Sequence, residues 1–233
     1  MAEHNVWDKG RWAGVEEASI DFMTRYIFEQ MTSRFSFRDK RILELGCGTG
    51  RLSYLALKEG AAHVTLVDSS VKAAALARKL FSGENTASYS ILHSDIFDFA
   101  PAERFDLVFS SGLIEHFKGE DRQRIISKHM ELSGGECIII HPTDTLYSAL
   151  FNRFPPAVKL YGFQDCFSDL EMNSCLIKAP RVARYEHHRF HPFYTVPLLH
   201  NLEKVNRAWD RLGGSRMGGL TLTLVKLAPV QGK

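Results

Sequence analysis

The chain has 233 residues, with 29 basic against 27 acidic side chains and 45% hydrophobic residues. Charge this evenly balanced gives no support for a protein that grips nucleic acid through a basic stripe, and no apolar run approaches the roughly 18 to 20 residues needed to cross a bilayer. Cys47, Cys137, Cys166 and Cys175 show no C-x-x-C spacing, and the chain opens without the charged-then-apolar pattern of a signal peptide, so a soluble, cytoplasmic protein with reduced thiols is expected.

In chain order, Ile20, Met23, Ile27 and Met31 recur at helical spacing and predict an N-terminal helix within Val15 to Phe35. A first strand follows near 41–45, a helix near 50–59, a second strand near 63–67, and an Ala-rich helix from Val71 to Leu80. A third strand is placed near 88–93, a fourth at 105–110, and an amphipathic helix at about 119–132. Gly134-Gly135 reads as the turn into a fifth strand at Cys137 to Ile140. Leu220 to Val225 alternates cleanly, as expected of a strand with one solvated face. Strands alternating with helices imply right-handed crossovers and a parallel sheet. The length exceeds that of a typical domain, but an α/β fold can carry it as one.

The most informative stretch is Ile42 to Gly50, an apolar strand running straight into Gly46, Gly48 and Gly50, with a helix from Arg51 behind it. Glycines let the chain turn sharply and bring bare backbone against a ligand, and the helix N-terminus offers unpaired N–H groups. Asp68, which ends the next apolar run, stands 20 residues beyond Gly48, a separation at which an acid can accept both ribose hydroxyls of a nucleoside. A dinucleotide site calls for G-x-G-x-x-G; here the pattern is G-x-G-x-G with Glu44 two residues ahead.

With that spacing, Glu44-Leu45-Gly46-Cys47-Gly48-Thr49-Gly50 resembles motif I of the class I methyltransferases that use S-adenosylmethionine. Val64 to Asp68 resembles that family's second strand and ribose-binding acid, and His93-Ser94-Asp95-Ile96 its acid-containing turn beside the adenine. Phe105 to Ser111 resembles its fourth strand, and Leu113-Ile114-Glu115-His116-Phe117 the Glu-His segment that often follows. The resemblance covers roughly residues 40 to 141. It implies a Rossmann-like, seven-stranded sheet, mostly parallel with an antiparallel last strand and helices on both faces. In it, residues 181–188 would be the sixth strand and 220–225 the seventh. It also implies S-adenosylmethionine as cofactor, with S-adenosylhomocysteine as product. The cofactor site would comprise Glu44, Gly46, Cys47, Gly48, Gly50, Asp68, Ser69, Ser94, Asp95, Ile96, Ser110 and Ser111.

Each of these positions also has a plainer reading. Glu44 could orient the glycine loop or the methionine amino group, or simply end a strand at the surface. Asp68 could be the N-cap of the helix after Ser69 and Ser70, and Asp95 a loop acid. Cys47 reads as a small residue that fits the turn, with an inert thiol. Methyl transfer is an in-line displacement that needs alignment above all, and for a hydroxyl acceptor a histidine base suits neutral pH. His116, after strand four, and His141, after strand five, are the two candidates by position, each with a structural alternative. His187, His188 and His191 form a cluster, but neighbouring strand residues point to opposite faces, so no metal is expected.

Four regions follow from this reading. Residues 1–36 form a flap and lid helix, 37–141 the cofactor core, 142–167 an aromatic cap, and 168–233 the rest of the sheet, with an insertion at 189–217 carrying a helix around Pro197 to Leu212. Trp12, Tyr147, Phe151 and Tyr161 are the expected substrate contacts. The expected reaction is methyl transfer to a small-molecule or lipid-like acceptor, at oxygen first with nitrogen or carbon left open, and with RNA or protein methylation, or cofactor binding without turnover, as alternatives. Peripheral membrane contact and the oligomeric state stay open.

Overall fold

The structure is a computed structural model that describes residues 18–145, 165–191, 202–212 and 218–229. The described elements are α1 (Phe22–Thr32), β1 (Arg41–Leu45), α2 (Arg51–Lys58), β2 (His63–Asp68), α3 (Val71–Leu80), β3 (Tyr89–His93), β4 (Phe105–Ser111), α4 (Gly119–Leu132), β5 (Ser133–Pro142), α5 (Asp169–Lys178), β6 (Val182–Phe190), α6 (Glu203–Arg211) and β7 (Leu220–Leu227). The strands form one seven-stranded sheet in the order β3-β2-β1-β4-β5-β7-β6. β3, β2, β1, β4 and β5 run parallel, and β7 runs antiparallel to both neighbours.

Alternation along the central strands splits the core into two layers. Ile42, Val64, Leu107, Phe109, Ile138 and Ile140 pack under α1 and α2 through Ile27, Met31, Leu52 and Ala56. Leu43, Leu45, Val108, Cys137 and Ile139 pack under α4 and α5 through Ile125, Ile126, Met130, Met172 and Leu176. Each buried Val, Leu, Ile, Phe or Met among these contributes about 1.5 to 3 kcal/mol, and because both faces are covered, the strands read as continuous apolar runs.

Three expectations are corrected by the fold. The N-terminal helix is shorter than its apolar spacing suggests, because the Asp21 carboxylate accepts from the Thr24 N–H at 2.7 Å and caps the helix there. Gly134 and Gly135 make no turn: α4 passes directly into β5, and both glycines lie in the strand, where a Cβ would sit 3.4 Å from the Phe105 and Asp106 carbonyl oxygens across the β4–β5 register shift. The alternating threonines of β7 do not face solvent. β7 lies between β5 and β6, and Thr221 and Thr223 are fully buried. Their hydroxyls meet Thr143 Oγ1 at 2.7 Å and His187 Nδ1 at 2.9 Å, so the polar side of the alternation is satisfied inside the protein. The solvated strand is the edge strand β6.

An ionisable side chain, that of Glu44, lies within the first layer. Glu44, on β1, is buried, and its Oε2 accepts from the Ser53 hydroxyl at 2.6 Å and from the Ser53 N–H at 3.2 Å. Ser53 is the third residue of α2, whose N-cap, Gly50, has no side chain to offer. Glu44 therefore caps α2 from the neighbouring strand, satisfying an N–H that the helix itself leaves unpaired. Burial, partly offset by the two Ser53 bonds, pushes its pKa from 4.5 to about 8. Between those values the folded chain keeps a proton that the unfolded chain has released, so this residue's contribution to stability falls as pH rises through the window. The slope is on the order of 1 kcal/mol per pH unit. In urea unfolding, Glu44→Gln should therefore gain stability relative to the parent chain between about pH 5 and about pH 8. Parallel pH profiles for the two proteins reject a raised Glu44 pKa.

Candidate functional site

The carboxyl ends of β2, β1, β4 and β5 share one edge of the sheet, and the chain reverses its order of strand placement between β1 and β4. Such a switch point opens a crevice where ligands bind in open α/β sheets. The turn after β1 is held to β2 by the N–H groups of Gly46 and Cys47, which donate to the Val67 carbonyl at 2.9 and 3.2 Å. Gly46, Gly48 and Gly50 all have positive φ, at 63°, 54° and 70°. A Cβ on Gly46 would lie 2.6 Å from Leu113 Cδ1, and one on Gly50 would collide with Leu66. The turn accepts glycine for both reasons.

Asp68 closes this turn from the far side. Its Oδ2 accepts from the Gly48 N–H at 2.7 Å, and its Oδ1 from the Ser70 N–H at 2.8 Å. A carboxylate can accept about four hydrogen bonds, so two backbone donors orient the group without exhausting it. The helix cap falls to Ser70, whose hydroxyl accepts from the Ala73 N–H at 3.0 Å, and this corrects the plainer reading of Asp68. Ser69 beside it is exposed. Bare backbone, a carboxylate held at its rim and a helix start just behind fit a nucleoside-bearing ligand.

The turn after β3 completes the same edge. The Ser94 N–H donates to the Asp68 carbonyl at 3.0 Å, drawing the two turns together. Asp95 Oδ1 accepts from the Phe97 N–H at 2.8 Å, which shapes the loop, and Ile96 is buried in the layer that includes Leu45, Val67 and Leu113. Cys47 is buried, and burial together with the Asp68 and Glu44 charges holds its thiol pKa well above the ordinary value. The thiol is therefore protonated and unreactive.

After β4 the two sites diverge in environment. Ser110 is fully buried and its hydroxyl contacts His129 Nε2 at 2.9 Å, so its side chain serves the packing of α4 on the sheet. Burial pushes His129 down to about 4, leaving it neutral. Ser111, at the strand end, is half-buried. His116 ends the single helical turn Ile114–His116 and is half-buried. His141 is fully enclosed, stacked on Phe167 with ring centres 4.3 Å apart, and the Arg122 guanidinium lies 4.6 Å from the centre of the same ring. Its Nδ1 contacts the Pro142 carbonyl at 3.0 Å, and Nε2 has no hydrogen-bond partner among the described residues. Burial pushes its pKa down to about 4, so the ring is neutral near neutral pH. The two histidines leave adjacent strands: Ser111 pairs with Ile140, and the Gly112 N–H donates to the Ile140 carbonyl at 2.9 Å.

Trp12, Tyr147, Phe151 and Tyr161 lie outside the described residues. Around the site, sequence reasoning missed Ser53, Ser70, Leu113, Arg122 and Phe167. For Ser53 and Ser70 a signal existed, a small polar residue in the first helical turn or just before it. The Arg122–Phe167–His141 grouping joins positions far apart in sequence and left none. As the strand period requires, His187 and His188 part company: His187 bonds Thr223 and Asn173, and His188 pairs with Glu186 at 3.3 Å. Among the described residues no three His, Cys, Asp or Glu side chains converge to hold a metal ion.

Comparison with known proteins bears on this geometry directly. Residues 42–132 match a family model described as a methyltransferase domain. A tRNA U34 carboxymethyltransferase of Actinobacillus pleuropneumoniae is 27% identical over 171 residues, covering 72% of this chain and 45% of that protein. The malonyl-[acyl-carrier protein] O-methyltransferase of Priestia megaterium is 30% identical over 96 residues, covering 41% and 34%. The chain thus spans less than half the length of these curated relatives. Magnesium protoporphyrin IX methyltransferase from Synechocystis, solved with bound SAH, superposes with a TM-score of 0.64 at 13% identity, over 96% of this chain and 94% of that one. This last likeness is one of fold. Residues 42–132 thus match a methyltransferase domain, and the strand order and glycine turn agree with the fold of the solved methyltransferases.

Proposed function

We propose that this chain transfers a methyl group from S-adenosylmethionine to a small-molecule or lipid-like acceptor, at oxygen. The observation that carries the reading is the closed cradle in which Asp68 holds the Gly48 N–H at 2.7 Å while Gly46 presents bare backbone toward Leu113. In this reading the Asp68 carboxylate accepts the ribose hydroxyls, and Gly46, Cys47, Gly48 and Gly50 lie along the amino-acid end. Glu44 keeps that turn in register through α2. Ser69 and Ser94 border the sugar, while Asp95 and Ile96 meet the adenine, one by polar contact and the other by apolar cover. Ser110 and Ser111 contribute backbone at the floor. The cofactor supplies a methyl carbon bonded to a sulfonium sulfur, and the protein's task is alignment.

His116 is proposed as the base that takes the acceptor proton, because its ring is half-buried on the edge where the strands end. His141 is proposed to position Phe167 and the start of the 142–167 segment, since it is enclosed and stacked rather than open to an incoming group. That segment, with Tyr147, Phe151 and Tyr161, and the N-terminal Trp12 are proposed as the substrate cap. The O-methyltransferase among the relatives supports oxygen as the acceptor atom. A second reading, a tRNA acceptor, is favoured by several tRNA U34 carboxymethyltransferases among the relatives, the first of them aligned over 72% of this chain. Turnover of methyl-labelled cofactor with separate lipid, small-metabolite and tRNA pools decides between the readings by where the label appears. Cofactor binding without label in any pool would point instead to a binding module.

Asp68→Ala should weaken cofactor binding by about 1 to 3 kcal/mol through the lost charged hydrogen bonds; unchanged affinity in calorimetry would remove Asp68 from the site. His116→Ala should lower turnover on the order of 100-fold with cofactor affinity retained. If His116→Ala and His141→Ala both keep full activity, no histidine base operates.

A further inference from the structure

We propose that α6 is a membrane-docking helix that seats the protein on an anionic lipid surface. The helix is amphipathic in the inverted sense. Its polar side faces the protein: Asn206 is fully buried, Arg207 makes two hydrogen bonds to the Glu29 carboxylate at 2.7 and 2.8 Å, and Asp210 accepts from the Tyr26 hydroxyl and from the His191 N–H. The Arg207 guanidinium also lies 5.1 Å from the centre of the Tyr26 ring, so α6 is fastened to α1 by polar and cation–π contacts. Its apolar side faces outward. Leu202, Val205, Trp209 and Leu212 recur at spacings of three and four, which places them on one stripe, and they are 46%, 41%, 40% and 84% exposed.

The charges around the stripe choose the occupant. Both acids on the helix are engaged, Glu203 with Arg207 and Asp210 with Tyr26. The two remaining cations, Lys204 and Arg211, are exposed, lie together along one side of the stripe, and form no ion pair among the described residues. An apolar stripe bordered by outward cations, with a tryptophan at its centre, is the composition that lies in the interface of an anionic bilayer. Area argues against a second copy of the chain. Even granting each of the four side chains the roughly 150 to 250 Å² of a whole aromatic, their exposed fractions leave no more than about 500 Å², short of the about 800 Å² per partner of a stable interface. Insertion into headgroups needs only the stripe itself.

β6 runs parallel to β5, so the chain leaves β6 at the edge that holds the glycine turn, while α6 itself is fastened along α1. The inference stands without the identity of the acceptor.

The test is co-sedimentation of the full chain with phosphatidylcholine vesicles and with vesicles of phosphatidylcholine and phosphatidylglycerol in equal parts, with mass measured by light scattering in parallel. Binding to the anionic vesicles is expected, weaker in high salt. Lys204→Gln combined with Arg211→Gln should lower it about 25-fold, near fivefold for each charge. Leu212→Glu should abolish it while the thermal midpoint stays unchanged, because the side chain is 84% exposed. Absence of vesicle binding overturns the proposal, as does binding that Leu212→Glu leaves intact. A dimer that Leu212→Glu dissociates, without vesicle binding, would assign the stripe to a second copy and likewise overturn it. Cofactor affinity measured on the same variants keeps the outcome separate from the methyl-transfer reading, since neither change touches the glycine turn.

Discussion

The hydrogen bond from the Gly48 N–H to Asp68 ties together the two strand ends on which the rest of the site is assembled. Asp68 lies at the end of β2 and Gly48 in the turn after β1, so the bond fixes how far that turn stands out from the sheet. From this point order spreads in both directions. The Asp68 carbonyl receives the Ser94 N–H and sets the turn after β3, while its other carboxylate oxygen receives the Ser70 N–H and sets the start of α3. Glu44 does the equivalent work one strand over, reaching from β1 to the first turn of α2. Two carboxylates, 24 residues apart in sequence, thus convert three flexible connections into one surface. Their mutual repulsion is part of why Glu44 holds its proton.

That arrangement explains why some of the site could be read in the sequence and some could not. Glycines forced to positive φ and an acid ending an apolar strand are local signals, because the backbone geometry needs those residue types whatever surrounds them. That the first five strands run parallel follows from their alternation with helices almost as directly, while the antiparallel last strand is implied only by the family resemblance. Where a neighbour decides the outcome, the sequence misled. The threonines of β7 look like a wet face because polar residues alternate with leucines, yet Thr143, just past β5, and His187, on β6, supply partners that let them be buried. Gly134 and Gly135 look like a turn, yet the close approach of β4 carbonyls makes them strand residues. His116 and His141 looked equivalent by position after adjacent strands. Only the stacking of Phe167 on His141 separates an enclosed ring from a half-open one.

The inverted orientation of α6 obeys the same rule. A helix is expected to bury its apolar side, and here Arg207 and Asp210 are turned inward instead, because α1 presents Glu29 and Tyr26 as partners for them. Polar groups taken from water cost free energy unless paired, and these are paired in charge-assisted bonds that are among the stronger ones. The protein therefore holds α6 by directional contacts, while its non-directional apolar attraction is left for something outside. A helix held that way keeps its position whether or not its stripe is covered, which suits a surface that must meet and leave a lipid layer. Cofactor cradle and outward helix are then set by one device, side-chain acids that accept backbone or cationic donors from a neighbouring element.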